Sequence, residues 1–317
     1  MKVPRILHQT WKTEEIPRAY SAFVESVRAH HPDWDYRLWT DAANLRFIEA
    51  QFPWFLDTFL AYRHDIERAD AVRYFLLYQY GGLYADLDME CLRPFDELIQ
   101  GDAVHFSLEA GPTIVQTVIS NAFMAAPPRH PFFHALIRDL ANLRGRDVTF
   151  GDVFRNTGPD MLHAQCERTK AQHTFHIIGL DQICPLGVIP QNVLLASQDL
   201  AEIRKHRLLY AIHHNTESWN TQYPAPTSPI PGYTLFPKHD VPGFDIDFVQ
   251  DPGASFETIR AACDANEDAI GFNFNGFIKG RGGVLERQDG PSKWLKEGIE
   301  PWVCIRTDRM DLIRRAP

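Results

Sequence analysis

The segment that most restricts how this chain can fold is DIERADAVRYFLLYQYGGLYADLDME, residues 65–90. Its first part contains no glycine or proline. Two glycines then follow, and behind them a short apolar stretch ends in Asp86-Leu87-Asp88. This order predicts a helix closed by Gly81 and Gly82, with LYADLD as the strand behind it. At about 100° per residue, Ile66, Ala69, Asp70, Arg73, Leu77 and Tyr80 share one side of that helix. Asp70 and Arg73 are therefore expected among apolar neighbours, where a charge must be paired or used. An i, i+3 ion pair that merely steadies the helix would meet that need. The carboxylates ending the next strand argue for more.

The same helix-to-strand step recurs along the chain. RILHQTW, YRLWT, AVHFSL, NAFMAA, TFHIIG and LLYAIHH read as strands. PRAYSAFVESVRAHH, NLRFIEAQF, PWFLDTFLAYR, HPFFHALIRDLANL and GPDMLHAQCER read as helices. Such alternation predicts an α/β, Rossmann-like layered domain with a mostly parallel central sheet. It breaks at TQYPAPTSPIPGY, where Pro224, Pro226, Pro229 and Pro231 make an extended linker. The expected organisation is a catalytic domain over 1–223, a proline-rich linker over 224–231 and a small α+β module over 232–317. A C-terminal wrap on the main sheet is the plainer alternative for the last segment.

With 32 Lys+Arg against 41 Asp+Glu, the net charge is −9, which argues against nucleic acid as a partner. No apolar run approaches the ~18–20 residues of a membrane span. The start, MKVPRILHQTWK, has no long apolar core of a secretory signal. The five cysteines, Cys91, Cys166, Cys184, Cys263 and Cys304, form no CxxC pair and suggest neither a disulfide framework nor a zinc site. The expected location is the cytoplasm, free or peripheral to a membrane.

In open α/β sheets, ligands bind beyond the carboxyl ends of the strands. Two carboxylates two residues apart on a strand point the same way and repel each other there. A divalent cation relieves the repulsion, and hard oxygen ligands suit Mn²⁺ or Mg²⁺. Such an ion would bridge a diphosphate and neutralise its charge as a leaving group. That is one way for an acidic protein to hold a nucleotide.

Three blocks, PRILHQTWK, DAVRYFLLYQYGGLYADLD and AIHHNTESW, resemble in that order the DXD-containing glycosyltransferases of the Och1-like and inositol-phosphorylceramide mannosyltransferase type, glycosyltransferase family 32. The D-x-x-R helix followed by GG-x-Y-x-D-x-D is more distantly similar to the catalytic domain of large clostridial glucosylating toxins. The resemblance implies a GT-A fold and a retaining, metal-dependent transferase that uses a nucleotide-sugar. It implies that Asp70 and Arg73 hold the donor sugar's hydroxyls and phosphate side, and that Tyr84 supports the nucleotide pocket. Asp86 would reach the ribose and the metal, with Asp88 the direct metal ligand. His8, Gln9, Thr10 and Trp11 would line the base and ribose pocket, though Trp11 serves equally as a core aromatic. Asn121 would face the donor sugar, and Thr157 to Pro159 would start a helix beside the acceptor cleft. A third metal ligand is expected at His214 or His213, with His214 favoured. Ser218 and Trp219 would sit on a loop that closes over the diphosphate. The acceptor would be a glycan, a lipid-linked glycan or a small molecule.

The C-terminal stretches GYTLFPKHDVPGFDI, IRAACDANEDAIGFNFNGFIK and WVCI resemble PAN/apple-like modules, with Ala269 near where such a module carries a cysteine. Two rival functions fit parts of the pattern. A haloacid-dehalogenase-like phosphatase would use Asp86 as nucleophile and Asp88 as general acid. A catalytically decayed carbohydrate- or nucleotide-sugar-binding protein would keep the site without turnover.

Overall fold

The computed structural model describes residues 2–110, 117–142, 150–185, 200–214, 226, 228–241, 245–249, 256–281, 284–287 and 302–315. In chain order the main elements are β1 (Ile6–Trp11), α1 (Arg18–His30), β2 (Asp35–Thr40), α2 (Asp41–Gln51), α3 (Leu56–Ala61), α4 (Asp65–Tyr80), β3 (Gly82–Ala85), β4 (Met89–Cys91), β5 (Val104–Ala110), β6 (Thr117–Ala126), α5 (Pro131–Ala141), α6 (Phe150–Asn156), α7 (Pro159–Thr169), β7 (Phe175–Ile178), β8 (Ile183–Pro185), α8 (Leu200–Ile203) and β9 (Ala211–His213). Contacts divide the chain into one unit of Met1–Arg146 with Phe154–Thr216, and a second of Asp147–Val153 with Glu217–Pro317.

The first unit is built on a six-stranded sheet in the order β2-β1-β3-β6-β5-β7. The pairings β1–β2, β1–β3 and β5–β7 are parallel, while β6 runs antiparallel to both its neighbours, so the sheet is mostly parallel as expected. Alternation along β3 and β6 sorts side chains to two cores. Tyr84, Met124 and Ala126 join the cluster under α4, α5 and α7, whereas Leu83, Ala85, Phe123 and Ala125 join the one that contains Val27 of α1. The result is a three-layer α/β domain.

Helix α4 departs from the expected single apolar stripe. Asp70 through Leu77 are all buried, so this helix lies inside the domain rather than on its surface. Its close is strict. Gly81 and Gly82 have φ of +64° and +93°, and a Cβ would lie 2.5 Å from Pro128 N at the first and 2.4 Å from Ile6 O at the second. Only glycine lets the chain turn there and re-enter the sheet as β3.

His8 on β1 is fully buried. Its Nδ1 accepts from the Trp39 indole at 3.0 Å, which leaves Nε2 to donate to Gly81 O at 2.9 Å. Burial holds it neutral, down to about 4 from 6.5, against the pull of the Gly81 carbonyl. The unfolded chain therefore takes up a proton across that window and the native state does not, so stability falls as pH drops from 6.5 towards 4. His8→Gln should remove this slope, narrowing the wild-type advantage by about 2 kcal/mol between pH 7 and 5. Urea unfolding at the two pH values tests this, and parallel behaviour of the two proteins would refute it.

The second unit contains β10 (Tyr233–Pro237), β11 (His239–Asp240), β12 (Asp245–Phe248), α9 (Phe256–Ala265), β13 (Ala269–Asn273), β14 (Phe277–Gly280), β15 (Val284–Arg287), β16 (Trp302–Arg306) and β17 (Arg314–Arg315). An antiparallel sheet, β10-β16-β13-β14-β12, carries Ile259 and Cys263 of α9 against Phe272, Trp302 and Cys304. Cys263 and Cys304 are buried free thiols. Lys279, also buried, lies 3.5 Å from Asp240, which accepts from Asn273 at 3.0 Å.

Candidate active site

Strand β3 stops at Ala85, so Asp86 and Asp88 are not carried by the strand as the sequence pattern suggests. A turn brings them together instead. Met89 N donates to Asp86 O at 3.1 Å, while Asp86 N is held by Ala122 O of β6 at 2.8 Å. The Gln9 amide also donates to Asp86 O, at 3.1 Å. The turn is thus pinned from β1 and β6 at the end of the sheet, where open α/β sheets place ligands.

His213 completes the group. Its Nε2 lies 3.3 Å from Asp88 Oδ1 and 3.9 Å from Asp86 Oδ2, and the ligand atoms of all three residues fall within 4.8 Å of one another. The favoured neighbour, His214, takes a different position. In the β4–β9 ladder Glu90 opposes Ile212, so His214, two residues on, shares Glu90's face while His213 takes the other. His214 Nε2 sits 2.8 Å from Glu90 Oε2, and its ring stacks on Phe23 at 4.2 Å. Arg204 grips Glu90 at 2.7 and 3.0 Å. The β4–β9 backbone ladder, with Met89 opposite His213, sets the register of β9 and hence the aim of His213. Burial would lower the His213 imidazole, but Asp88 and Asp86 outweigh it and hold it up at about 9. Two hard carboxylates and an imidazole suit Mn²⁺ or Mg²⁺.

Behind the turn lies a buried polar network. Arg73 Nη2 meets Asp70 Oδ1 at 2.9 Å, and Nη1 meets Asp86 Oδ1 at 3.3 Å and Asn121 O at 2.8 Å. The guanidinium carbon lies 4.7 Å from the centre of the Tyr84 ring. Burial works against its charge, but Asp86 and Asp70 prevail and keep Arg73 protonated. Asp70 also accepts from Asn121 Nδ2 at 3.0 Å and from Thr157 Oγ1 at 3.3 Å. Tyr84 donates its hydroxyl to Asp86 Oδ1 at 2.8 Å, with Thr10 Oγ1 3.0 Å from the same hydroxyl.

Several expected contacts change character in this light. The Arg73 side chain is only 5% exposed and is engaged with Asp70, Asp86 and the Asn121 carbonyl, which it holds in place. His8 and Gln9 are completely buried and brace β1, which removes them from any pocket lining. Thr10 and Trp11 are partly exposed, the latter 5.2 Å from Tyr20. Thr157 lies within the network, bonded to Asp70. Ser218 and Trp219 lie outside the described residues.

Sequence reasoning missed Tyr74, which donates to Thr157 O at 2.7 Å and accepts from Asn121 at 3.3 Å. Its spacing of four residues from Asp70 on the same helix was the available signal. It also missed Glu90, whose role depends on a strand pairing that no local pattern announces.

Residues 17–105 match a family described as glycosyltransferase sugar-binding region containing DXD motif. Inositol phosphoceramide mannosyltransferase 1 of Schizosaccharomyces pombe is 40% identical over 168 residues, covering 52% of this chain and 51% of that protein. Mannosyl phosphorylinositol ceramide synthase CSH1 of Saccharomyces cerevisiae is 42% identical over 158 residues, covering 50% of this chain and 40% of that one. The chain spans about half the length of the curated relatives it matches. Among solved structures, the PaToxG glycosyltransferase is similar over 52% of this chain and 69% of its own, at 17% identity and a TM-score of 0.42. The first unit is thus an α/β domain with a mostly parallel central sheet, and the matched region contains its Asp86-Leu87-Asp88 turn.

Proposed function

We propose that this chain is a retaining, metal-dependent glycosyltransferase that moves a hexose from a UDP- or GDP-sugar to an acceptor hydroxyl. The observation that carries this reading is the Asp86–Asp88–His213 group set directly against the buried Asp70–Arg73–Asn121 network. The names of the relatives, which refer to mannose and to inositol phosphoceramide, favour a mannosyl donor and a lipid-linked acceptor.

Asp88, His213 and Asp86 would hold Mn²⁺ or Mg²⁺, which when bound supplies positive charge to a departing diphosphate. The chain's own residues do the rest. Arg73 clamps Asp70 and Asp86 at fixed separation, so neither carboxylate has to reorganise as charge moves in the pocket. Asp70, held by three donors, presents its remaining acceptor capacity to sugar hydroxyls. Front-side attack would account for retention, with the leaving phosphate taking the acceptor's proton. Residues 232–317 fit an appended PAN/apple-like module that recruits or presents acceptor, and residues 224–231 a linker to it.

A panel of UDP- and GDP-sugars, incubated with Mn²⁺ or with EDTA, tests the reading. Slow nucleotide release from one donor is expected with Mn²⁺ and none with EDTA. Absence of metal-dependent release, together with absence of transfer to an inositol phosphoceramide acceptor, would overturn it. A product of inverted anomeric configuration would overturn retention alone.

A further inference from the structure

The penultimate residue of strand β5, Glu109, is a carboxylate that the reading above does not use. Glu109 is partly buried, and its Oε2 accepts from Ser120 Oγ of β6 at 2.7 Å. Its other oxygen has no hydrogen-bond partner among the described residues. The pairing of β5 with β6 shifts register between Phe106 and Leu108, so the end of β5 is re-aimed relative to the regular ladder. Bulges of this kind often redirect a side chain beside an active site.

Short bonds tie Glu109 to the DXD turn. Ser120 Oγ, which donates to Glu109, accepts from Ala122 N at 3.1 Å, and Ala122 O in turn holds Asp86 N at 2.8 Å. Asn121, between Ser120 and Ala122, anchors both Asp70 and Arg73. Glu109 is therefore built into the same few residues of β6 that set the site's geometry. A carboxylate with one neutral donor is poorly satisfied for its degree of burial, and such groups are normally completed by a ligand or by water.

We propose that Glu109 is a further substrate-contacting residue, its outer carboxylate oxygen accepting a hydrogen bond from a carbohydrate hydroxyl bound next to the Asp86–Asp88 turn. The inference rests on the transferase reading. A carboxylate oxygen left without a partner accepts a hydrogen bond, and a sugar hydroxyl is a donor that suits it. The charges around it agree with a place at this site: burial pushes Glu109 up to about 7, Ser120 and His213 oppose the rise, and Asp86 and Asp70 add to it.

The hydroxyl belongs either to the donor sugar or to the acceptor, and the rates separate the two. Glu109→Gln and Glu109→Ala are compared with wild type in acceptor-free donor hydrolysis and in full transfer, with Asp88→Ala alongside and folding checked by thermal melting. A donor contact gives a ten- to hundredfold (roughly) weaker kcat/KM in hydrolysis for the alanine variant. An acceptor contact leaves hydrolysis intact and raises the acceptor KM by a similar factor. In either case one monodeoxy analogue, of donor or acceptor, should lose activity with wild type and lose no more with Glu109→Ala. If folded Glu109 variants stay within about threefold of wild type in both assays while Asp88→Ala is inactive, the proposal fails. It also fails if every deoxy analogue loses equally in wild type and variant, because Glu109 would then act only on the fold. An active Asp88→Ala would instead bring down the transferase reading of the metal site.

Discussion

Arg73→Lys should fold and yet lose donor turnover by roughly a hundredfold or more, the scale seen when one preorganised electrostatic contact is removed. The reason lies in the shape of the cation. The guanidinium addresses Asp70, Asp86 and the Asn121 carbonyl at once, at 2.9, 3.3 and 2.8 Å, with its carbon 4.7 Å from the centre of the Tyr84 ring. A lysine ammonium keeps the charge but not the fork, so it cannot hold two carboxylates at a set separation. Asp86 would then be held on that side by Tyr84 alone and could shift relative to Asp88 and His213. Arg73→Met removes the charge as well and leaves the buried Asp70 and the partly exposed Asp86 without their shared cation. It should cost about 3–5 kcal/mol in unfolding free energy, the range for breaking a buried ion pair from one side. Chemical denaturation and nucleotide release read the two effects separately. If Arg73→Lys turned over donor within tenfold of wild type, the clamp would have no part in the reaction.

How far the sequence could anticipate this arrangement depends on whether a feature is local. The helix α4, its glycine stop and the strand behind it are written in consecutive residues, and both glycines are required by close backbone approach. The pairing of Asp70 with Arg73 follows from helical spacing alone. By contrast, the meeting of Asp86 with Asp88 comes from a turn anchored by Ala122 and Gln9, distant residues that no period reveals. The choice between His213 and His214 is likewise a matter of register. Adjacent residues on a strand face opposite ways, so only the pairing with β4 decides which one meets the carboxylates. Burial was underestimated for the same reason. His8 and Gln9 look like pocket residues because they are polar on a strand near the site, yet Trp39, Gly81, Tyr36 and Asp86 take up their hydrogen bonds.

Asp88→Asn should separate metal binding from folding more cleanly than any other change in the site. The amide oxygen can still meet His213, now 3.3 Å from Asp88 Oδ1, so the local packing survives. Repulsion between the two aspartates is relieved, which offsets the loss of the Asp88–His213 attraction. In EDTA the variant should therefore melt close to wild type, within about 1 kcal/mol in unfolding free energy, on the scale of most single substitutions. Added Mn²⁺ should part them. A ligand that binds only the folded state stabilises it by about 2.7 kcal/mol at a hundred times its dissociation constant. Wild type should gain stability on that scale and melt at a correspondingly higher temperature, and Asp88→Asn should gain little or none over the same titration. Donor turnover should fall roughly a hundred- to a thousandfold in parallel. His213→Gln should weaken the Mn²⁺ response as a ligand loss does. His214→Gln should leave it nearly intact, since that ring is engaged with Glu90 and Phe23. An Asp88→Asn protein that Mn²⁺ stabilises as strongly as wild type would show that the cation binds elsewhere, and the assignment of the DXD turn as its site would be wrong.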